Sequence, residues 1–144
     1  MKKTLLFGMD AACWPVLQPL LDAGELPTLA RLLDAGASGV LQSTMPALTP
    51  AAWSSIITGK NPGKHGVFDM VWREPNSYRI LPVNAQMRLG TPFWKRLNAA
   101  GVKVGLVNIP FTYPPEPIDG FVVPGFGAPG SVDDLIYPAE ARGL

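Results

Sequence analysis

The chain predicts an α/β fold in which a mostly parallel sheet is flanked by helices. Two observations carry this. Short, continuous apolar runs alternate with stretches whose leucines recur at helical spacing, the order expected of strands joined through helices. The 16 Pro and 15 Gly are spread between those runs rather than gathered in one block, so they mark ordered turns between many short elements.

Residues Thr4 to Met9 form an apolar run ending at Asp10, the pattern of a strand buried on both faces. Leu17, Leu20 and Leu21 then follow helical spacing up to a stop at Gly24. Pro27 opens a second helix with Leu29, Leu32 and Leu33 on one face and Gly36 as its C-terminal turn. Gly39 to Gln42 suits a short second strand. Thr49 is a good N-cap, Pro50 suits the first helical position, Trp53, Ile56 and Ile57 share a face, and Gly59 ends that helix. Residues 60–68 read as a polar turn, and residues 69–90 as a hairpin or excursion with weak strand signals at Met70 to Trp72 and Tyr78 to Leu81. A helix from Pro92 to about Ala100, capped by Thr91 and stopped by Gly101, precedes an apolar strand from Val102 to Val107 that ends at Asn108. Phe121 to Val123 is a last short strand, and the chain beyond Gly125 is turn-rich. In parallel sheets, sites form where strands end and helices begin. Asp10 and Thr49 both occupy such positions, and the pattern lets them meet at one edge of the sheet.

Composition narrows the function. With 144 residues, 47% hydrophobic and 16% charged, the chain has enough apolar content for one packed domain and too little charge for disorder. A net charge of +1 and the lack of a dense Lys/Arg cluster argue against nucleic acid as a partner. No apolar run approaches the roughly 20 residues of a membrane span. The opening Met-Lys-Lys-Thr-Leu-Leu-Phe imitates a signal peptide, but Gly8 and Asp10 break its apolar run early. Cys13 has no second cysteine to pair with. The expectation is a soluble, cytoplasmic protein.

Several familiar motifs fail on inspection. Gly59-Lys60-Asn61-Pro62-Gly63-Lys64-His65 has three residues between its glycines where a P-loop needs four, and His65 stands where Ser or Thr must reach magnesium. Gly125-Phe126-Gly127-Ala128-Pro129-Gly130 has dinucleotide-binding spacing but opens no evident helix. Alone, Asp10 reads as a turn or cap residue, Thr49 as a cap, and His65 as a hydrogen-bonded structural residue rather than a ligand. Thr91-Pro92 repeats the cap-and-proline device, so the local pattern is primarily structural.

The ordered combination says more. Met9-Asp10, Leu26-Pro27-Thr28-Leu29-Ala30-Arg31-Leu32, Ser43 to Trp53, Thr58-Gly59-Lys60-Asn61-Pro62-Gly63-Lys64-His65-Gly66 and Val107 to Pro115 form a series over nearly the whole chain. The series resembles the type I phosphodiesterase/nucleotide pyrophosphatase branch of the alkaline-phosphatase superfamily. The resemblance implies an alkaline-phosphatase-like core, of which residues 1–144 are the N-terminal portion of a single catalytic domain and therefore incomplete. It implies a metal-binding aspartate at Asp10. It also implies a nucleophile at Thr49, ten residues before Gly59, ligating the same metal. Two divalent metal ions, zinc by preference, are the implied cofactors, and a small phosphate ester or nucleotide-like molecule is the implied substrate. His65 matches a motif position that is not a metal ligand in this family. Ala52 stands where the nucleotide pyrophosphatases have a phosphate-binding Asn, which weakens the case for nucleotides. Leu48 to Trp53 lacks the Cys/Ser and Arg of a sulfatase.

The chemistry suits the residue types. A threonine hydroxyl is a weak nucleophile near neutral pH and needs a metal or a base to activate it. A helix N-terminus supplies N–H donors and a positive dipole to phosphoryl oxygens. With one histidine in the chain, the remaining ligands of a two-metal site are expected from a C-terminal part of the same protein, and these residues alone are expected to turn over poorly. Two alternatives remain open at this point: a non-catalytic fragment or degenerate domain, and another superfamily activity such as a phosphotransferase or phosphomutase.

Overall fold

The computed structural model describes residues 3–131 and 135–142. The chain forms two compact units, residues 1–42 and 43–144.

The first unit holds α1 (Trp14–Asp22) and α2 (Pro27–Ala35). Pro15 and Pro27 lie in the opening turns, where the missing proline N–H costs nothing. α1 closes through Gly24 at φ +76°, with the Gly24 and Glu25 amides donating to the Leu21 and Leu20 carbonyls at 3.0 and 2.9 Å. α2 ends differently from the expected C-terminal turn, because Gly36 is extended. A Cβ at Gly36 would lie 2.9 Å from the Leu32 carbonyl oxygen, which explains the glycine.

Two expected strands are corrected here. Neither Thr4–Met9 nor Gly39–Gln42 is strand, and Leu5, Phe7 and Leu41 are 87%, 76% and 88% exposed. A strand exists only when a neighbour takes its backbone N–H and C=O groups, and no ladder forms on either run.

The second unit runs α3 (Thr49–Thr58), α4 (Pro62–His65), β1 (Val71–Arg73), β2 (Ile80–Pro82), α5 (Phe93–Ala99), β3 (Val104–Ile109) and β4 (Gly120–Pro124). β1 and β2 make the expected hairpin, antiparallel with Trp72 opposite Leu81. β3 and β4 pair in parallel, with Leu106 opposite Val122 and an irregularity between Val107 and Ile109. The fold is therefore mixed helix and sheet, consistent with α/β. Among the described residues, however, the expected mostly parallel sheet is reduced to one parallel pair and one separate hairpin. Residues 110–119 join β3 to β4 and carry Pro110, Pro114, Pro115 and Pro117.

Local bonds explain the shifted boundaries. α5 starts after Pro92 rather than Thr91, because Pro92 is the extended residue at the cap. β3 starts at Val104, not Val102, because the Val102 carbonyl is taken by the Asn98 side chain at 2.9 Å. The same amide donates to the Asp119 carbonyl and accepts from the Asp119 N–H, so Asn98 ties the start of β3 to the start of β4.

The core of this unit is Ile57 from α3, Trp94 from α5, Leu106 from β3 and Val122 from β4, with Phe93, Val104, Ile109, Ile118 and Tyr137 against it. A second cluster joins Val67, Val83 and Phe111. Gly125 packs so close to the Asn108–Ile109 backbone that a Cβ would sit 2.5 Å from it, so that glycine serves packing rather than phosphate binding. Ile57→Ala should destabilise the unit by about 2–5 kcal/mol, since a rigid core closes only partly around the lost atoms. A urea midpoint within error of the parent chain would contradict this.

Candidate active site

Thr49 is the first residue of α3, not its cap. Leu48 is the cap, extended at φ −121° and ψ 146°, and Pro50 is the second helical residue. The helix therefore begins one position earlier than Thr49-Pro50 implied. Pro50, Ala51, Trp53, Ser54, Ile57 and Thr58 are buried, whereas Ile56, expected on the apolar face, is exposed. The buried Thr58 hydroxyl is satisfied by donating to the Ser54 carbonyl at 2.7 Å. Gly59, at φ +66°, closes the helix and donates to the Ser55 carbonyl at 2.8 Å. Before the helix, the Thr44 hydroxyl donates to the Pro46 carbonyl at 2.7 Å, which shapes the lead-in loop. Asp10 lies in the first unit, exposed, in a turn whose next residue Ala11 has φ +57°. It was expected at a strand end and instead begins that turn.

His65 ends α4 and is fully buried. Asn61 caps α4 by accepting from the Lys64 amide, and Gly66 turns the chain at φ +78°. The Val67 N–H then donates to His65 Nδ1 at 3.1 Å, so Nδ1 carries no proton. In the neutral ring the proton is on Nε2, which lies 3.0 Å from Ser55 Oγ and donates to it. The pair looks like a serine–histidine dyad but has the opposite polarity: a ring that already holds its Nε2 proton cannot take one from the serine. Both nitrogens are engaged, so His65 is not arranged as a metal ligand either, in keeping with the structural role expected of it.

Burial holds His65 below its ordinary value of 6.5. The Arg88 charge also lowers it, and the Ala51 main-chain carbonyl acts the other way.

Arg88, which carried no signal in the sequence, is buried in the second unit. Its Nη1 donates to the Phe111 carbonyl at 3.1 Å, and its guanidinium carbon lies 5.7 Å from the Trp94 ring centroid. Glu116 is the compensating charge, held by Lys95 at 3.0 Å and the Trp94 indole N–H at 3.3 Å. Phe111, at φ +58°, also donates its own N–H to the Phe126 carbonyl at 2.9 Å. Ser55 was equally silent in the sequence, because a hydroxyl inside a helix has no distinguishing spacing.

Asp10 carries a carboxylate and Thr49 a hydroxyl, the first in one unit and the second in the other. Among the described residues, no three His, Cys, Asp or Glu side chains gather into a metal-holding group. A groove of about 340 Å³ in the first unit, bordered by Trp14, Gln18, Leu33 and Val40, includes neither residue. No helix among the described residues is long and apolar enough to cross a membrane.

The chain belongs to the type I phosphodiesterase/nucleotide pyrophosphatase family, whose model matches residues 4–140. Family membership implies phosphoric ester hydrolysis in general, on small phosphate esters or nucleotides and with divalent metals. Searches of the curated proteins and of the solved structures each returned no match.

The His65 shift makes stability depend on pH. An unfolded chain takes up the histidine proton below about pH 6.5, while the folded chain resists until lower pH. The stabilisation is full above that value and is lost as pH falls through the folded one. Between about pH 7 and pH 5, the urea midpoint should fall further for the parent chain than for His65→Gln. Parallel curves would contradict the assignment.

Proposed function

We propose that this chain contributes Thr49 as the nucleophile of a phosphodiesterase or pyrophosphatase reaction. The observation that carries the reading is the place of Thr49 as the first residue of α3, in the family-matched segment. There its hydroxyl shares the helix end with the first-turn N–H groups, which suit phosphoryl oxygens. In the first step Thr49 Oγ1 bonds to phosphorus, the phosphorus–oxygen bond to the leaving group breaks, and the leaving group departs as an alcohol or phosphate. Water then attacks the phosphoryl-threonine: its oxygen bonds to phosphorus and gives up a proton, the phosphorus–Oγ1 bond breaks, and Oγ1 takes up a proton to restore the Thr49 hydroxyl.

A divalent cation, zinc by preference, would supply the acidity that a threonine hydroxyl lacks near neutral pH. Asp10 and Thr49 are the groups we assign toward it, each by its match to a family motif position, and the described residues add no cluster of three His, Cys, Asp or Glu side chains. Ala52 offers only a methyl group where a phosphate-binding amide would stand, so the reading favours simple phosphodiesters over nucleotides.

In a form of the protein that turns over bis-p-nitrophenyl phosphate, Thr49→Ala should lower that turnover by on the order of 1,000-fold or more, as loss of a nucleophile does. Because Thr49 is not the cap, its removal costs no capping bond, and a cooperative thermal transition should remain. Retained turnover in a folded variant would move the nucleophile elsewhere. In zinc calorimetry, Asp10→Asn should weaken uptake, and unchanged uptake would remove Asp10 from the metal assignment.

A further inference from the structure

Arg88 is 7% exposed and has one polar atom unmatched. Its Nη1 donates to the Phe111 carbonyl at 3.1 Å, but its buried Nε has no hydrogen-bond partner among the described residues. We infer that a single internal water molecule binds between Arg88 Nε, the Glu116 carboxylate and the Thr112 hydroxyl, and so links the buried arginine to its counter-charge.

The size and lining of the space argue for this. Arg88, Glu116 and Thr112 border one small cavity, of about 10 Å³, whose wall they share with the apolar Leu106 and Val122. That is about the least room that holds one water, and it is too small for a phosphate or an organic ligand. Glu116 pairs with Lys95 at 3.0 Å rather than with Arg88, so the arginine and the carboxylate share a cavity without sharing a bond. A buried N–H with no acceptor keeps the whole cost of leaving bulk water, and an internal water removes it.

The unused bonding capacity selects the ligand. Arg88 Nε offers one N–H. Glu116 Oε1 accepts from Lys95 Nζ and Oε2 from the Trp94 indole N–H at 3.3 Å, and each carboxylate oxygen can accept a second bond. Thr112 Oγ1 gives its proton to the Ile109 carbonyl at 2.7 Å. It accepts one long contact from the Gly125 N–H at 3.4 Å, which leaves a lone pair. A ligand here must accept once and donate twice, and three bonds are usual for a buried water. An anion cannot donate, and Glu116 repels it. A metal cation cannot accept the N–H, and Arg88 repels it.

The experiment follows the Arg88 Nε–H signal of the nitrogen-labelled full chain by rotating-frame cross-relaxation with water. A bound water gives a peak opposite in sign to the diagonal, whereas plain proton exchange gives one of the same sign. The parent chain should show the opposite-sign peak. Glu116→Gln, whose amide oxygen still accepts, should keep it. Glu116→Leu, similar in size but without an acceptor, should lose it. The Glu116 side chain is 29% exposed, so neither substitution opens a hole in the core. If the Leu variant does not fold, a crystal structure of the parent chain decides, with an ordered water expected about 2.7–3.2 Å from Arg88 Nε and from a Glu116 oxygen.

Three results overturn the inference. One is the lack of an opposite-sign peak in the parent chain. Another is a peak that the Gln and Leu variants keep or lose alike. The third is a crystal structure in which Arg88 Nε bonds directly to Glu116 or to a main-chain carbonyl. None of these readouts involves turnover, so they stand apart from the assignment of Thr49.

Discussion

The contact of Ile57 with Trp94, Leu106 and Val122 is the constraint on which the second unit depends. It presses one short helix against both strands of the parallel pair and against α5 at once. A ten-residue helix has little stability of its own, so its position is set by what it buries. With Ile57 seated, Ser55 is brought to His65, and the other end of the same helix presents Thr49. The apolar contact and the proposed nucleophile thus lie towards opposite ends of one helix.

The polar groups of the interior follow from that packing. His65 and Thr112 are buried, and each has its hydrogen-bonding atoms matched to the main chain or to a neighbouring side chain. Arg88 is harder to accommodate, because a buried charge needs an opposite charge and several acceptors. Glu116, the Phe111 carbonyl and the face of Trp94 share that task. The result links the two apolar clusters, since Trp94 belongs to the first and Phe111 to the second.

Much of this was legible in the sequence, and what was missed has physical reasons. Pro and Gly at their preferred helix ends located α1, α2, α3 and α5, because those preferences arise within a few residues of chain. The β1–β2 hairpin and the β3 and β4 strands also fell near their expected places. Thr4–Met9 and Gly39–Gln42 did not become strands, because pairing depends on distant neighbours that periodicity cannot report. The helix at Thr49 was found, but its cap was placed one residue late, because Leu48 adopts the extended cap geometry without a capping side chain. Ser55 and Arg88 went unseen because their importance comes only from what they meet across the fold. Membership of the family was readable from the ordered motifs, whereas the polarity of the Ser55–His65 pair needed coordinates.

The proline-rich return from β3 to β4 has a consequence for how the parallel pair assembles. Strands paired in parallel must wait for a connecting segment to loop back, and that loss of freedom slows association. Four of the ten residues in this return are prolines, whose φ is confined even in the unfolded chain. Each such residue reduces the freedom surrendered on ordering by about 0.4–1 kcal/mol where its geometry fits. A stiff link of this kind keeps the two strand ends within a narrow range of separations before they meet. Together with Asn98 bridging the two strand starts, it makes a pairing that is non-local along the chain behave more like a local one.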